Sequence, residues 1–357
     1  MRSALRLVAA SLGILALYLL AWPVPIDPIA WTPPANPGFT GRFAPNDALA
    51  AIEPLLASVG VGPEDIAQDA AGRLYTGFED GRIVRFLRDR PEAVDEFVDT
   101  GGRPLGLDFD ATGNLIVADA HRGLLSIDPT GTITLLTDQV GGVPMHFIDD
   151  AIVASDGRIW FTDGSRFAVH DAFSMVLDRH ATGRVLTYDP RTGETTVQLE
   201  GLVFANGLTL GPDDAFLLVN DSFSYRIIRL WLTGPRAGES EPFIEELPGC
   251  PDNITFNGRD RFWVAHFIPR TDTLDLFPET PFMRKVVYRA LRLLPQPSLE
   301  HYGFVIGLDL DGNVVANLQD PAAGFPMITS AREFDGELLL GSFRASSLGR
   351  LPLPPST

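Results

Sequence analysis

The chain has 357 residues and a single cysteine, with 46 acidic against 28 basic side chains and a formal charge of −18 at pH 7. That balance excludes nucleic acid as a partner, because a phosphate backbone repels so acidic a chain. One cysteine also excludes an internal disulfide, so the core has to be closed by strand pairing alone.

The amino terminus is short and basic, with Arg2 and Arg6 ahead of an apolar run from Leu7 to Trp22. Signal peptides and membrane anchors share this layout. Pro23 and Pro25 follow immediately and no small-x-small cleavage pattern precedes them. The segment over 1–22 therefore reads as an uncleaved membrane anchor, with the two arginines holding the amino end in the cytoplasm. The remainder is expected on the periplasmic or equivalent extracytoplasmic side. Residues 23–45 carry seven prolines and read as a stiff extended tether.

From residue 46 onward one phrase recurs six times, roughly every 45 to 75 residues: an apolar stretch, a tight Asp/Gly turn, then a hydrophobic strand. The turns fall in 64–75, 105–116, 149–160, 206–217, 252–263 and 328–339. Short strands at such a period are the mark of an all-β propeller with one repeat per blade, so six blades are expected over 46–357. Asp47 to Val59 is the candidate for a strand that completes the last blade and removes the open edge. The repeat fails at about 268–301, where Pro281 to Pro295 reads as a helical insertion. Arg284, Lys285, Arg289 and Arg292 form a local basic cluster there. Either the helix lies on the membrane surface beside the pocket mouth, or it packs on the propeller with its charges solvated.

Aligned on the shared turn, the residue eight places before it is Glu64, Leu105, Asp149, Asn206, Asp252 and Ile328. Equivalent positions of innermost strands ring a propeller's axis, so four oxygen-bearing side chains converge, three of them carboxylates. Such a set repels itself unless a cation lies between. Hard oxygen donors without Cys or His suit Ca²⁺ or another divalent cation rather than zinc. The plainer reading is that each acid closes a local Asx-turn, which loses ground when four share one register.

The phrases Gly62-Pro63-Glu64-Asp65-Ile66, Gly102-Arg103-Pro104-Leu105-Gly106, Val117-Ala118-Asp119-Ala120, Pro251-Asp252-Asn253-Ile254 and Gly341-Ser342-Phe343-Arg344 resemble the strictosidine synthase-like proteins. Those belong to the calcium-dependent propeller superfamily of gluconolactonase (senescence marker protein), the paraoxonases and diisopropyl fluorophosphatase. Within it the chain looks most like the membrane-anchored, arylesterase-like branch. The resemblance covers about residues 46 to 353 and implies metal ligation by Glu64, Asp149, Asn206 and Asp252, with Asn253 beside them. The superfamily usually has Asn where this chain has Asp149. The implied activity is calcium-dependent hydrolysis of a lactone or carboxylic ester, with a small-molecule substrate. Asp252 is then base or nucleophile, or else solely a ligand to the ion while water does the work.

Two departures narrow this expectation. Paraoxonase-like enzymes carry His where this chain has Leu105, so their His-dependent chemistry is not expected; His121 and His146 are the histidines placed to line the pocket. Strictosidine synthase relies on a glutamate in its last blade, and the matching stretch 327–332 has none. Amine–aldehyde condensation is disfavoured accordingly. No Gly-x-Ser-x-Gly, phosphate loop, dinucleotide fingerprint or Cys-x-x-Cys occurs. The competing function is a non-catalytic propeller that binds a ligand or partner around a structural calcium.

Overall fold

The computed structural model describes residues 1–168, 171–294 and 300–353. The residues fall into two compact groups, one of 1–33, 171–180 and 271–294, the other of 34–168, 181–270 and 300–353.

The second group is a six-bladed β-propeller. Each blade is a four-stranded antiparallel sheet, and five of the six use four strands consecutive in sequence. The innermost strands are Ile66–Gln68, Pro104–Phe109, Ile148–Val153, Ala205–Leu210, Gly249–Phe256 and Ile328–Phe334. They are the six repeats expected, and successive ones contact one another around the axis. The hairpin after several of them is built by an aspartate. Asp69 Oδ1 accepts the amides of Ala71 and Arg73 at 2.9 Å each, and Asp110 Oδ1 those of Thr112 and Asn114. Gly72 and Gly113 then take φ of 81° and 87°, a conformation that glycine adopts without strain.

The last blade is closed by the chain's beginning. Glu53–Leu55 pairs antiparallel with Leu348–Pro352, so that Glu53 faces Arg350 and Leu55 faces Leu348. Three residues suffice because Leu55 and Leu56 sink into an apolar cluster with Leu74, Phe78, Val84, Leu339 and Leu348. That cluster spans the first and last blades and joins the ends of the ring.

The other group is helical. It contains α1 (Arg2–Ala21), α2 (Ala172–Asp178) and α3 (Pro281–Leu291). α1 runs longer than the apolar stretch because Arg2 to Arg6 continue the helix, and at 20 residues it reaches membrane-spanning length with none buried. α2 interrupts the third blade, and the sequence gives no sign of it. It is seven residues long and Met175, Val176 and Leu177 are consecutively buried, so no amphipathic period exists to read. α3 ends at Leu291, short of the expected boundary; Pro295 lies outside the described residues.

Two expectations for this part of the chain give way. The tether is not free. Ile26 is buried, Asp27 N donates to Asp178 Oδ1 and Trp31 N to the Pro278 carbonyl. Further on, Phe39 stacks on Tyr302 at 4.3 Å, and Phe43 is buried with its carbonyl bonded to Gln319. Its prolines serve a packed segment rather than a spacer. The basic cluster is not a solvated face either. Arg284 and Arg289 are 1% and 5% exposed, and both spend their guanidinium groups on backbone carbonyls.

Candidate metal centre on the propeller axis

The axis is built by a repeated fault in the sheet. In four blades the ladder between first and second strands skips two residues. The skipped pairs are Leu105-Gly106, Asp149-Asp150, Asn206-Gly207 and Asp252-Asn253. A bulge there frees a residue from its regular alternation and re-aims its side chain. The glycines show how tight the ring is. A Cβ on Gly106 would lie 2.2 Å from Asp150 Oδ1, and one on Gly207 would lie 2.4 Å from Asn253 Cα. In the first blade Glu64-Asp65 stands just ahead of the strand instead.

Each bulge thus presents two registers. The first holds Glu64, Asp149, Asn206 and Asp252, each between 3% and 5% exposed, with apolar Leu105 and Ile328 in the remaining blades. Burial raises the pKa of Glu64 to about 7, against the opposing charge of Arg103. Asp149 and Asp252 are raised well above the ordinary range, first by burial and then by the Glu64 charge. Asp252 also feels Asp149, and its bond with the Asn206 side chain pulls the other way. Glu64 Oε2 and Asp149 Oδ2 are buried with no hydrogen-bond partner. Buried acceptors are rarely left so.

Among the described residues no group of three or more Asp, Glu, His or Cys forms a ready-made metal cage. What the first register offers is a convergence of charge with unused lone pairs. That donor set, three carboxylates and an amide, fits a hard divalent cation such as calcium.

The second register is different. Asp65 Oδ2 accepts Leu107 N and Arg332 Nη2, both at 3.2 Å, while its Oδ1 has no partner. Asp150 accepts Leu208 N at 2.9 Å and Ala151 N at 2.8 Å. Asp108, three residues past Leu105, accepts Val153 N at 2.8 Å. The Leu107, Leu208 and Val153 amides each belong to the next blade, so these acids staple neighbouring blades together. Arg332 faces Asp65, Asp108 and Asp150. Asn253 is buried at this level against Gly207.

Sequence reasoning missed Arg103. It is 3% exposed, its Nη1 donates to the Gly62 carbonyl at 2.9 Å, and its Nη2 has no partner. Its charge is felt by both Glu64 and Asp149. The signal available was its place two residues before the first register, fixed by Asp119, whose Oδ1 accepts Arg103 N at 2.9 Å. Arg332 was missed as well, because it stands four residues past the aligned position.

His121 and His146 together line a cavity of about 330 Å³ with Arg122, Asp138, Met145 and Ile148, the residue before Asp149. Cys250 is buried.

The family model "Strictosidine synthase-like, N-terminal" matches residues 41–86, and "Strictosidine synthase" matches 149–235. An adipocyte plasma membrane-associated protein of Danio rerio is 34% identical over 98% of this chain and 89% of its own. Protein STRICTOSIDINE SYNTHASE-LIKE 6 of Arabidopsis thaliana is 36% identical over 83% of this chain and 81% of its own. Among solved structures, a gluconolactonase from Xanthomonas campestris superposes with a TM-score of 0.63 at 20% identity, covering 94% of this chain and 99% of that one. A calcium-binding regucalcin from Agrobacterium tumefaciens gives 0.59 at 16% identity, covering 84% and 91%. At such identities these last two speak to the fold.

Proposed function

The chain belongs to the strictosidine synthase-like family, and on that footing we propose that it is a divalent-metal-dependent hydrolase of lactones or carboxylic esters. The observation that carries this reading is the first register: three carboxylates whose pKa values burial raises, with Glu64 adding to the rise at Asp149 and Asp252, and two with oxygens left unpartnered. In this reading Glu64, Asp149, Asn206 and Asp252 hold a Ca²⁺ ion. When bound, such an ion polarises an ester carbonyl and stabilises the charge that develops on its oxygen.

The rest is done by side chains. With a bound ion opposing the charges that raise it, Asp252 favours its carboxylate, the form a base needs. One Asp252 oxygen takes the proton of an attacking water, or attacks the acyl carbon itself. The unpartnered Nη2 of Arg103, whose charge acts on Glu64 and Asp149, is assigned to the substrate's carbonyl oxygen. Gly62 holds the other arm of that guanidinium in place.

Hydrolysis of phenyl acetate and a lactone panel, with and without chelator, tests the proposal. Chelation is expected to abolish turnover, and Asp252→Asn to lower kcat by at least ~10²-fold, the usual scale for a lost general base. Turnover indifferent to both would overturn it. The deep burial of all four residues favours a second reading, a structural ion in a non-catalytic binding propeller. Calcium-dependent stability with no hydrolysis across the panel would select that one.

Localisation follows from α1, the one helix among the described residues long and apolar enough to cross a bilayer. Five relatives carry plasma-membrane association in their name. The reading places Arg2 and Arg6 in the cytoplasm and the propeller on the extracytoplasmic side.

A further inference from the structure

We propose that α3 and its flanks form a second, uncharged footing in the bilayer, locked to the carboxyl end of α1; the inference rests on reading α1 as a membrane anchor. Its evidence lies wholly within the helical group. Arg289 on α3 donates from Nε to the Trp22 carbonyl at 2.7 Å and from Nη1 to the Leu19 carbonyl at 2.9 Å. Those are carbonyls at the end of α1, which the helix itself leaves unsatisfied, and a cation there also complements the helix dipole. In return Tyr18 Oη donates to the Arg289 carbonyl at 3.3 Å. The exit of the anchor is therefore fixed against α3 rather than free to swing.

The neighbouring cations are committed in the same way. Arg284 bonds the carbonyls of Leu177 and Ile29, Lys285 pairs with Asp27 at 2.9 Å, and Arg292 donates to Tyr288 Oη at 2.6 Å. Outward on α3 and its flanks stand large hydrophobic groups: Phe282 is 52% exposed, Leu293 54% and Leu294 62%, with Phe277 at 38% ahead of the helix; Glu279 and Arg292 are exposed beside them. Large apolar side chains grouped on one short segment mark a contact surface. Here the surface continues from α1, whose Leu17, Leu20 and Trp22 are 67%, 54% and 62% exposed. The occupant that fits both is lipid. Arg284 and Arg289 are buried and Lys285 is paired, which leaves Arg292 as the one exposed cation of the cluster without an ion pair among the described residues. The footing therefore does not depend on anionic headgroups, in contrast to a polybasic interfacial helix.

The test uses the full chain, with Cys250→Ala, in nanodiscs of phosphatidylcholine alone and of phosphatidylcholine with phosphatidylglycerol. Nitroxide labels are placed one at a time through Phe282→Cys and Leu294→Cys. Leu12→Cys serves as an anchor control and Glu194→Cys as an aqueous one. Labels at 282 and 294 should lose access to a water-soluble nickel chelate and gain access to oxygen, as at 12, in both lipid mixtures. Nickel access at 282 and 294 equal to that at 194, with 12 still in lipid, overturns the footing. Nickel access at 12 overturns the anchor reading on which it rests. Lipid contact at 282 and 294 seen only with phosphatidylglycerol overturns the uncharged mode of docking.

Discussion

Glu64 and Asp65 are adjacent in the chain, as are Asp149 and Asp150, and all four are buried; yet their surroundings differ in kind. Asp150 accepts two amides, one from the next blade, and Asp65 accepts a third along with a guanidinium. Glu64 and Asp149 keep an oxygen with nothing to bond, as Asp65 does at Oδ1 beside its two bonds. The bulge separates the two roles, since leaving the ladder lets one residue bind the neighbouring blade while the other points into the axis. Those bonds let the second register offset part of the cost of its burial, which still raises the pKa of Asp65, and that of Asp150 to about 8. The first costs stability unless a cation is present, because desolvated like charges oppose one another.

The largest effect that could break this contrast is on folding. Asp150→Ala strips acceptors from the buried Leu208 and Ala151 amides, and an unsatisfied buried donor costs about 1–3 kcal/mol. A loss of about 3 kcal/mol is expected in urea denaturation with chelator present. Asp150→Asn keeps an acceptor and should lose far less. Asp149→Asn, one residue away, should leave the chelated protein no less stable, since it removes a repelling charge. Equal losses at 149 and 150 would erase the distinction.

The next effect is on pH dependence. Glu64 is raised to about 7 in the fold against an ordinary value of 4.5. The folded state then binds more protons than the unfolded chain between those values, so this contribution is complete below 4.5 and disappears as pH rises through 7. Chelated protein should therefore lose stability from pH 5 to pH 7.5, and Glu64→Gln should reduce that slope without abolishing it, since burial raises Asp150 to about 8 as well. Calcium should reverse the trend, adding about 2.7 kcal/mol at 100 times its Kd. A slope that persists unchanged in Glu64→Gln would assign the effect elsewhere.

How much of this was legible in the sequence follows from periodicity. Six turns at one spacing specify six blades, and the position before each turn brings out Glu64, Asp149, Asn206 and Asp252 as a set. The second register was equally present in the letters. It stayed hidden because Asp65, Asp150 and Asn253 share that position with two glycines and a threonine, which carry no common chemistry. Arg103 and Arg332 escaped for a related reason: a long side chain reaches the axis from a backbone position outside the register. The helical group was least legible. Arg284 and Arg289 look like a solvated patch in sequence, and their carbonyl partners come from segments far along the chain.

Arg103 offers a smaller and sharper test of the first register. Arg103→Met removes one bond to Gly62 and the free Nη2, so stability should fall by only about 1 kcal/mol. Esterase kcat should drop by more than that stability change implies, by ~10² or above on the scale of a lost oxyanion donor. Arg103→Lys keeps the charge but not the fork, and partial recovery of stability without recovery of kcat would mark the second arm as the one that touches substrate. Parallel losses in both quantities would make Arg103 a counterion alone.

The smallest expected effect separates partnership from burial. Glu53 on the closing strand meets Arg350 at 2.6 Å, as close a contact as any acid makes on the axis, but its side chain is 60% exposed. Water already solvates both groups well, and an exposed pair typically contributes ~0–1 kcal/mol. Glu53→Gln should therefore shift the urea midpoint by less than about 0.5 kcal/mol and lose even that in high salt. The closing strand is held by Leu55 and by its backbone pairing with the last blade, neither of which the substitution touches. A loss matching that of Asp150→Ala would mean that partnership alone, wherever it occurs, stabilises this propeller. The depth of the axis would then no longer explain why consecutive acids behave differently.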